Sequence, residues 1–355
     1  MSLAEAAVMG AQRAWYGAAQ LARIAWYTGH YVAGRRTMGP LTRPGEAPPP
    51  EEFPGLDRAR LRAAFRQLFR DDWRNIEEGV YRMPIELRRP PSPSRLARQS
   101  RDYFEDAEKI ARRRHAHGHS EILSDALSEK YPRYFLQNFH YQSDGWMSAA
   151  SAERYGMQVE TLFTGAGAAM RRQALPLIAR AIGARDPASL HYLDLACGDG
   201  SFTQSVLDNW PGLDATALDL SPAYLGKARA TLGGFRNLRF AEAKAEATGL
   251  ADASFDIVTA VYLFHELPPK IREDVAAEIA RLLKPGGALV LVDTIQYGDE
   301  PGLNALLEAF PRGFHEPYYD SYCRLDLPAH FAAAGLEKGE EKVAFLTKAT
   351  AFRKP

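Results

Sequence analysis

Cysteine is nearly missing: Cys197 and Cys323 are the only two in 355 residues. They allow neither a disulfide framework nor a CxxC metal site, which fits a reducing cytoplasm. Net charge is missing as well, with 44 Lys and Arg against 44 Asp and Glu. The chain as a whole therefore lacks the field that gathers nucleic acid, and no nucleic-acid partner is expected. No run of about 18 uncharged apolar residues occurs, which excludes a conventional transmembrane helix. Glu5, Arg13 and Arg23 interrupt the stretch that a secretory leader would need. Internal repeats are absent too.

What is present is ordinary globular material, 46% apolar and 25% charged, enough for a well-buried core. By length it is about two domains. The balance of charge is uneven: residues 1–120 hold 21 basic and 14 acidic residues, and the remainder 23 and 30. A cationic first third suits either a solvated helical face or an anionic surface such as a membrane.

Residues 3–34 are Ala-rich, without Pro, and carry Trp15, Tyr16, Trp26, Tyr27 and Tyr31. At 100° per residue, Glu5, Gln12, Gln20, Arg23 and His30 share one narrow stripe. Such a helix packs in a helical subdomain or lies in a membrane interface, so residues 1–38 are a candidate peripheral membrane contact. A Pro/Gly-rich linker follows at 39–55, then a helical pattern from Leu56 to Tyr81, a second breaker at 88–94, and a charged helix around 95–114. His115, His117 and His119 alternate in an Arg-rich tract; that spacing reads as a solvated turn, and no metal site is expected. Further helices are predicted around 126–139, 151–163 and 167–182. After Ile182, strands rich in Leu, Val and Asp alternate with amphipathic helices, the pattern of a parallel α/β sheet. The chain thus divides into a helical region, 1–185, and an α/β domain, 186–355.

The segment LHYLDLACGDGSFTQSVL (190–207) is an apolar strand, a turn and a helix. Gly198 and Gly200 let the backbone turn tightly and approach a ligand, and the helix N-terminus behind them offers free N–H donors. Dinucleotide enzymes use the same device, so spacing has to discriminate. A second strand, LDATALDLS, ends in Asp219, 21 residues past Gly198; a carboxylate there is placed to accept both ribose hydroxyls of a nucleoside. Residues 237–267 supply a third strand, a loop with Ala245 and Glu246, and a fourth strand from Phe255. LLKPGGALVLVD (282–293) adds a KPGG turn and a fifth.

The ordered set DLACGDG, ALDLS, AEAKAEATGLADASFDIV and LLKPGG resembles the class I S-adenosylmethionine-dependent methyltransferases, and most closely the branch with the ubiquinone/menaquinone C-methyltransferases. The likeness covers roughly residues 188–353. It implies a Rossmann-like seven-stranded sheet of order 3-2-1-4-5-7-6, and GEEKVAFLTKATAFRKP (339–355) reads as the terminal strand pair of that family. The implied cofactor is S-adenosylmethionine. Asp194, Gly198 and Gly200 would belong to its first binding element, Asp219 would hold the ribose, Leu220 would cover one adenine face, and Ala245 with Glu246 would hold the adenine. Two positions depart from the pattern: Ala196 replaces the usual first Gly, and Lys244 stands where Asp or Asn is frequent. A nicotinamide site is disfavoured, because the turn lacks the third Gly at dinucleotide spacing.

In open α/β sheets ligands bind beyond the carboxyl ends of the strands. Tyr262, His265 and Glu266 end the fourth strand, and His265 is the first candidate for a general base or acceptor-orienting group. The chain before the first strand usually closes over the cofactor in this fold, which makes His140, Tyr141, Asp144 and Tyr155 lid candidates. FHEPYYDSYCRLDLP (314–328), with Phe314, Glu316, Tyr318, Tyr319 and Tyr322, suits a flat or greasy acceptor. The expected function is methyl transfer to a small lipophilic or aromatic acceptor, in the cytoplasm or at the inner face of a membrane. The helical region would complete the acceptor pocket, mediate self-association, or reach the membrane. Competing readings are a methyltransferase-like scaffold and an enzyme that uses the cofactor without moving its methyl.

Overall fold

The computed structural model describes residues 3–39, 51–116 and 118–355. His117 and linker residues 40–50 lie outside the described residues. Seven strands form one sheet: β1 (His191–Leu195), β2 (Asp214–Asp219), β3 (Leu238–Glu242), β4 (Phe255–Val261), β5 (Leu283–Thr294), β6 (Glu337–Ala344) and β7 (Thr347–Arg353). Their order is β3-β2-β1-β4-β5-β7-β6. The first five run parallel, whereas β7 is antiparallel to both β5 and β6. The terminal hairpin predicted from 339–355 is this pair.

Central strands are apolar in succession because both faces are covered. Tyr192, Ile257, Val290 and Val292 enter one core, and Leu193, Val258, Leu289 and Leu291 enter the other. The first of these cores also holds Tyr16, Trp73 and Ile76 from the N-terminal helices, together with Leu175 and Ile178. The helical region therefore shares its core with the sheet.

The first helix, Leu3–Met38, is oriented by polar groups. Its predicted polar stripe turns inward from residue 20 onwards: Gln20 and His30 are buried, Arg23 pairs with Glu160 at 3.2 Å, and His30 Nε2 meets Ser100 Oγ at 2.8 Å. Val8, Trp15, Leu21 and Val32 are exposed instead. The central tie is Asp72, fully buried. It accepts from Tyr16 (2.6 Å), Tyr81 (2.6 Å) and both Nε and Nη2 of Arg172 (2.8 and 2.7 Å), while Arg172 Nη1 reaches Glu86 at 2.5 Å.

The helices Arg58–Glu77 and Pro93–His115 lie where their patterns place them. The stretch expected as a helix over 126–139 differs: only Asp125–Ser128 is α-helical, and a short 3-10 turn covers Phe139–Tyr141. Pro132 cannot donate to a helical ladder and disfavours helical backbone in the residue before it. Released from a helix, this segment wraps the carboxyl ends of the strands, with His140, Tyr141 and Asp144 at φ of 54°, 56° and 64°.

Candidate active site

The turn after β1 contains three left-handed residues in five, Ala196 (φ 61°), Gly198 (φ 55°) and Gly200 (φ 78°). Gly200 is required twice over, because a Cβ there would lie 2.9 Å from Leu232 Cδ1 and 3.1 Å from Ala228 Cα. Beside Gly198, by contrast, a Cβ would meet nothing within 4 Å, which leaves room for a ligand against the backbone. Asp219 holds the turn in shape: Gly198 N–H donates to Oδ2 and Ser221 N–H to Oδ1, each at 2.8 Å. Burial pushes the Asp219 carboxyl up to about 6, against the opposing effect of the N–H donors of Ser221, Gly198 and Leu220.

Ala196, Gly198, Asp219, Leu220, Ala245 and Tyr155 line one cavity of about 130 Å³, with Trp146 and Phe135 from the wrapping segment. Three other residues expected here are not on its wall. Asp194 accepts from Thr203 Oγ1 (2.5 Å) and Thr259 Oγ1 (2.9 Å), tying β1 to β4. Gly200 packs against Ala228 and Leu232, and Glu246 accepts from the Tyr134 hydroxyl at 2.8 and 2.9 Å.

A second cavity, about 240 Å³, adjoins the first, and Tyr155, Tyr262 and Glu266 belong to both walls. Its remaining wall is largely apolar: Tyr31 and Met38 from the first helix, Tyr103 and Ile110, Leu162 and Phe163, and Phe310, Phe314 and Tyr319 from beyond β5. His140 and His265 reach it, but their neighbour Tyr141 does not; Tyr141 packs on His315, ring centroids 5.9 Å apart, and its carbonyl accepts from Arg113. Asp144 accepts from Ser148 Oγ at 2.8 Å, at the start of the Ala149–Leu162 helix.

The polar end of this cavity concentrates charge. His265 Nδ1 lies 2.6 Å from Asp293 Oδ1, and the backbone N–H groups of Phe264 and His265 donate to Asp293 Oδ2 at 2.9 and 3.3 Å. Burial would lower the imidazole, but Asp293, with Glu266 and Glu316 behind it, holds it up at about 9. Glu266 is pushed up to about 8 by burial and Glu316, moderated by the two histidines. His140 Nε2 approaches Glu316 Oε1 to 2.5 Å without hydrogen-bond geometry. Its own value rises, since Glu316 outweighs burial.

Residues 193–287 match the sequence profile of a methyltransferase domain. A demethylmenaquinone methyltransferase of Deinococcus radiodurans is 33% identical over 148 residues, which is 41% of this chain and 58% of that protein. The chain carries a class I S-adenosylmethionine-dependent methyltransferase domain. The domain's cofactor is S-adenosylmethionine. A malonyl-[acyl-carrier protein] O-methyltransferase of a Paenibacillus species is 32% identical over 35% of this chain and 44% of its own. Among solved structures, a 1,6-didemethyltoxoflavin N1-methyltransferase of Burkholderia thailandensis with bound S-adenosylhomocysteine has a TM-score of 0.40 at 17% identity, covering 57% of this chain and 90% of that one. The chain spans about half the length of the curated relatives it matches.

Asp293, near the end of β5, was not among the residues singled out from sequence. Its signal was available: an acid that ends the apolar strand LVLVD sits where ligands bind in an open α/β sheet. Tyr134 and Phe135 carried no comparable signal, because an expected helix over 126–139 hid their role.

Proposed function

We propose that this protein transfers the methyl group of S-adenosylmethionine to a small, flat, apolar acceptor held beneath its N-terminal helices. One observation carries the reading: the cavity behind the glycine turn and the apolar cavity under the helices meet at Tyr155, Tyr262 and Glu266. When bound, the cofactor supplies an electrophilic methyl carbon on a sulfonium. The residues present suit it. Asp219 offers a buried carboxylate for ribose hydroxyls, the 196–200 backbone leaves space beside Gly198, and Leu220 and Ala245 provide apolar surface for a purine.

The chain's own contribution is alignment and exclusion of water. Tyr155 and Tyr262 form the passage between the two cavities, and the aromatic wall of Phe310, Phe314 and Tyr319 fits a planar acceptor. His265, fixed by Asp293, is placed to orient the acceptor's polar group. Residues 1–185 act as a cap that completes the acceptor pocket, and 186–355 as the methyl-transferring domain. The test is to incubate the protein with methyl-labelled S-adenosylmethionine and organic extracts or a panel of phenols and hydroquinones. Label in an extractable product supports the reading. Cofactor binding without label in any product would favour a scaffold, and a product that kept no label would favour a non-methylating enzyme.

A peripheral membrane contact rests on a separate observation, the outward face of the first helix. Val8, Ala11, Ala14, Trp15, Ala18, Leu21, Ala25 and Val32 are exposed there, an apolar surface with an interfacial aromatic. No described helix is long and apolar enough to cross a membrane.

A further inference from the structure

We propose that His140, Glu266 and Glu316 form a binding site for one divalent first-row cation at the polar end of the acceptor cavity. The three come from separate parts of the chain: the segment that wraps the strand ends, the end of β4, and the loop before Tyr319–Cys323. Yet one ligating atom of each lies within 4.8 Å of the other two.

The decisive feature is what these atoms lack. The Glu316 side chain is fully buried, and neither of its oxygens has a hydrogen-bond partner. Glu266 Oε2 lacks one as well, and the one close polar contact of Glu316 is the ion pair of its Oε1 with His140 Nε2 at 2.5 Å. Glu316 Oε2 and Glu266 Oε2 thus stay buried with no donor, a costly state for a carboxylate that a coordinated cation relieves. His140 is also held at φ 54°, a backbone conformation disfavoured outside glycine that tends to persist at functional sites.

Chemistry narrows the ligand. One imidazole and two carboxylates form a borderline-to-hard donor set, suited to Mn²⁺, Fe²⁺ or Zn²⁺ and unlike the thiolate sites that take soft ions. Two carboxylates neutralise a 2+ charge, which removes the repulsion between Glu266 and Glu316. Cation–ligand bonds of about 2.1 Å set neighbouring ligand atoms roughly 3.0–3.4 Å apart in octahedral or tetrahedral geometry. His140 Nε2 and Glu316 Oε1, now 2.5 Å apart, therefore open by roughly 0.5–1 Å on binding. Three protein ligands leave positions open, and His140 and Glu266 both line the acceptor cavity, so those positions face an oxygen of the acceptor or water. His115 and His119 are not among these ligands, and this site departs from the expectation of a metal-free protein. It does not depend on methyl transfer, because occupancy is measured with no methyl acceptor present.

The experiment uses the full chain, stripped with a chelator and titrated with Zn²⁺ in a calorimeter and with Co²⁺ by visible absorption. One saturable equivalent and new ligand-field bands are expected. Glu316→Gln and His140→Ala should each weaken binding at least about tenfold, whereas His115→Ala should bind as the unaltered protein does. Circular dichroism confirms that each variant is folded; Glu266→Gln, at the less buried ligand, serves in place of one that is not. Absence of a saturable equivalent, or an affinity in Glu316→Gln and Glu266→Gln equal to that of the unaltered protein, overturns the proposal.

Discussion

Cofactor affinity should depend on pH through a single carboxyl, Asp219. Its oxygens are occupied on one side by the N–H groups of Gly198 and Ser221, and burial lifts its titration to about 6. Ribose hydroxyls donate more strongly to the ionised form, so a proton on Asp219 competes with the nucleoside. At pH 5 only about a tenth of the protein holds the carboxylate, and affinity should fall close to tenfold from its value at pH 8. Asp219→Asn keeps the shape and removes the charge; losing charge-assisted hydrogen bonds worth about 1.5–3 kcal/mol should weaken binding roughly 10- to 150-fold. The variant's affinity should no longer change between pH 5 and pH 8. Calorimetric titration with S-adenosylhomocysteine reads both quantities. A wild-type affinity flat from pH 5 to pH 8, or a slope that survives in Asp219→Asn, would refute the reasoning.

The same burial has a stability consequence of opposite sense. Asp194 and Asp219 both titrate near 6 when folded, above the ordinary 3.8, so the folded state holds extra protons between about pH 4 and 6. Ligand-free protein should lose stability as pH rises through that window, by roughly 1.4 kcal/mol per unit for each carboxyl; chemical denaturation at pH 4.5 and 6.5 checks the sign. Asp72→Ala leaves the buried Arg172 guanidinium without its main partner and should cost about 3–5 kcal/mol in urea unfolding; a change under 1 kcal/mol would mean that the tie adds little. Phe310→Ala removes part of the acceptor wall and should raise acceptor KM on the order of tenfold while S-adenosylhomocysteine affinity stays the same. If the first helix meets membranes, Trp15→Glu combined with Leu21→Glu should abolish flotation with anionic liposomes; unchanged flotation would end that idea.

Short-range rules made the α/β half readable. Uninterrupted apolar strands report burial on both faces, glycines at 198 and 200 report left-handed backbone, and an acid 21 residues on marks the tip of the adjacent strand. Each depends on a few consecutive residues, so local sequence determined the sheet, the glycine turn and the position of Asp219. The first helix was harder. Its polar stripe is compatible with packing or with a membrane interface, and Arg23 and His30 turn inward to meet Glu160 and Ser100. Polar spacing states which residues share a side and not what covers that side. The cluster of His140, Glu266, Glu316 and Asp293 was decided by tertiary structure alone. Its members are up to 176 positions apart, and the unpaired oxygens of Glu266 and Glu316 exist only after burial has taken water away.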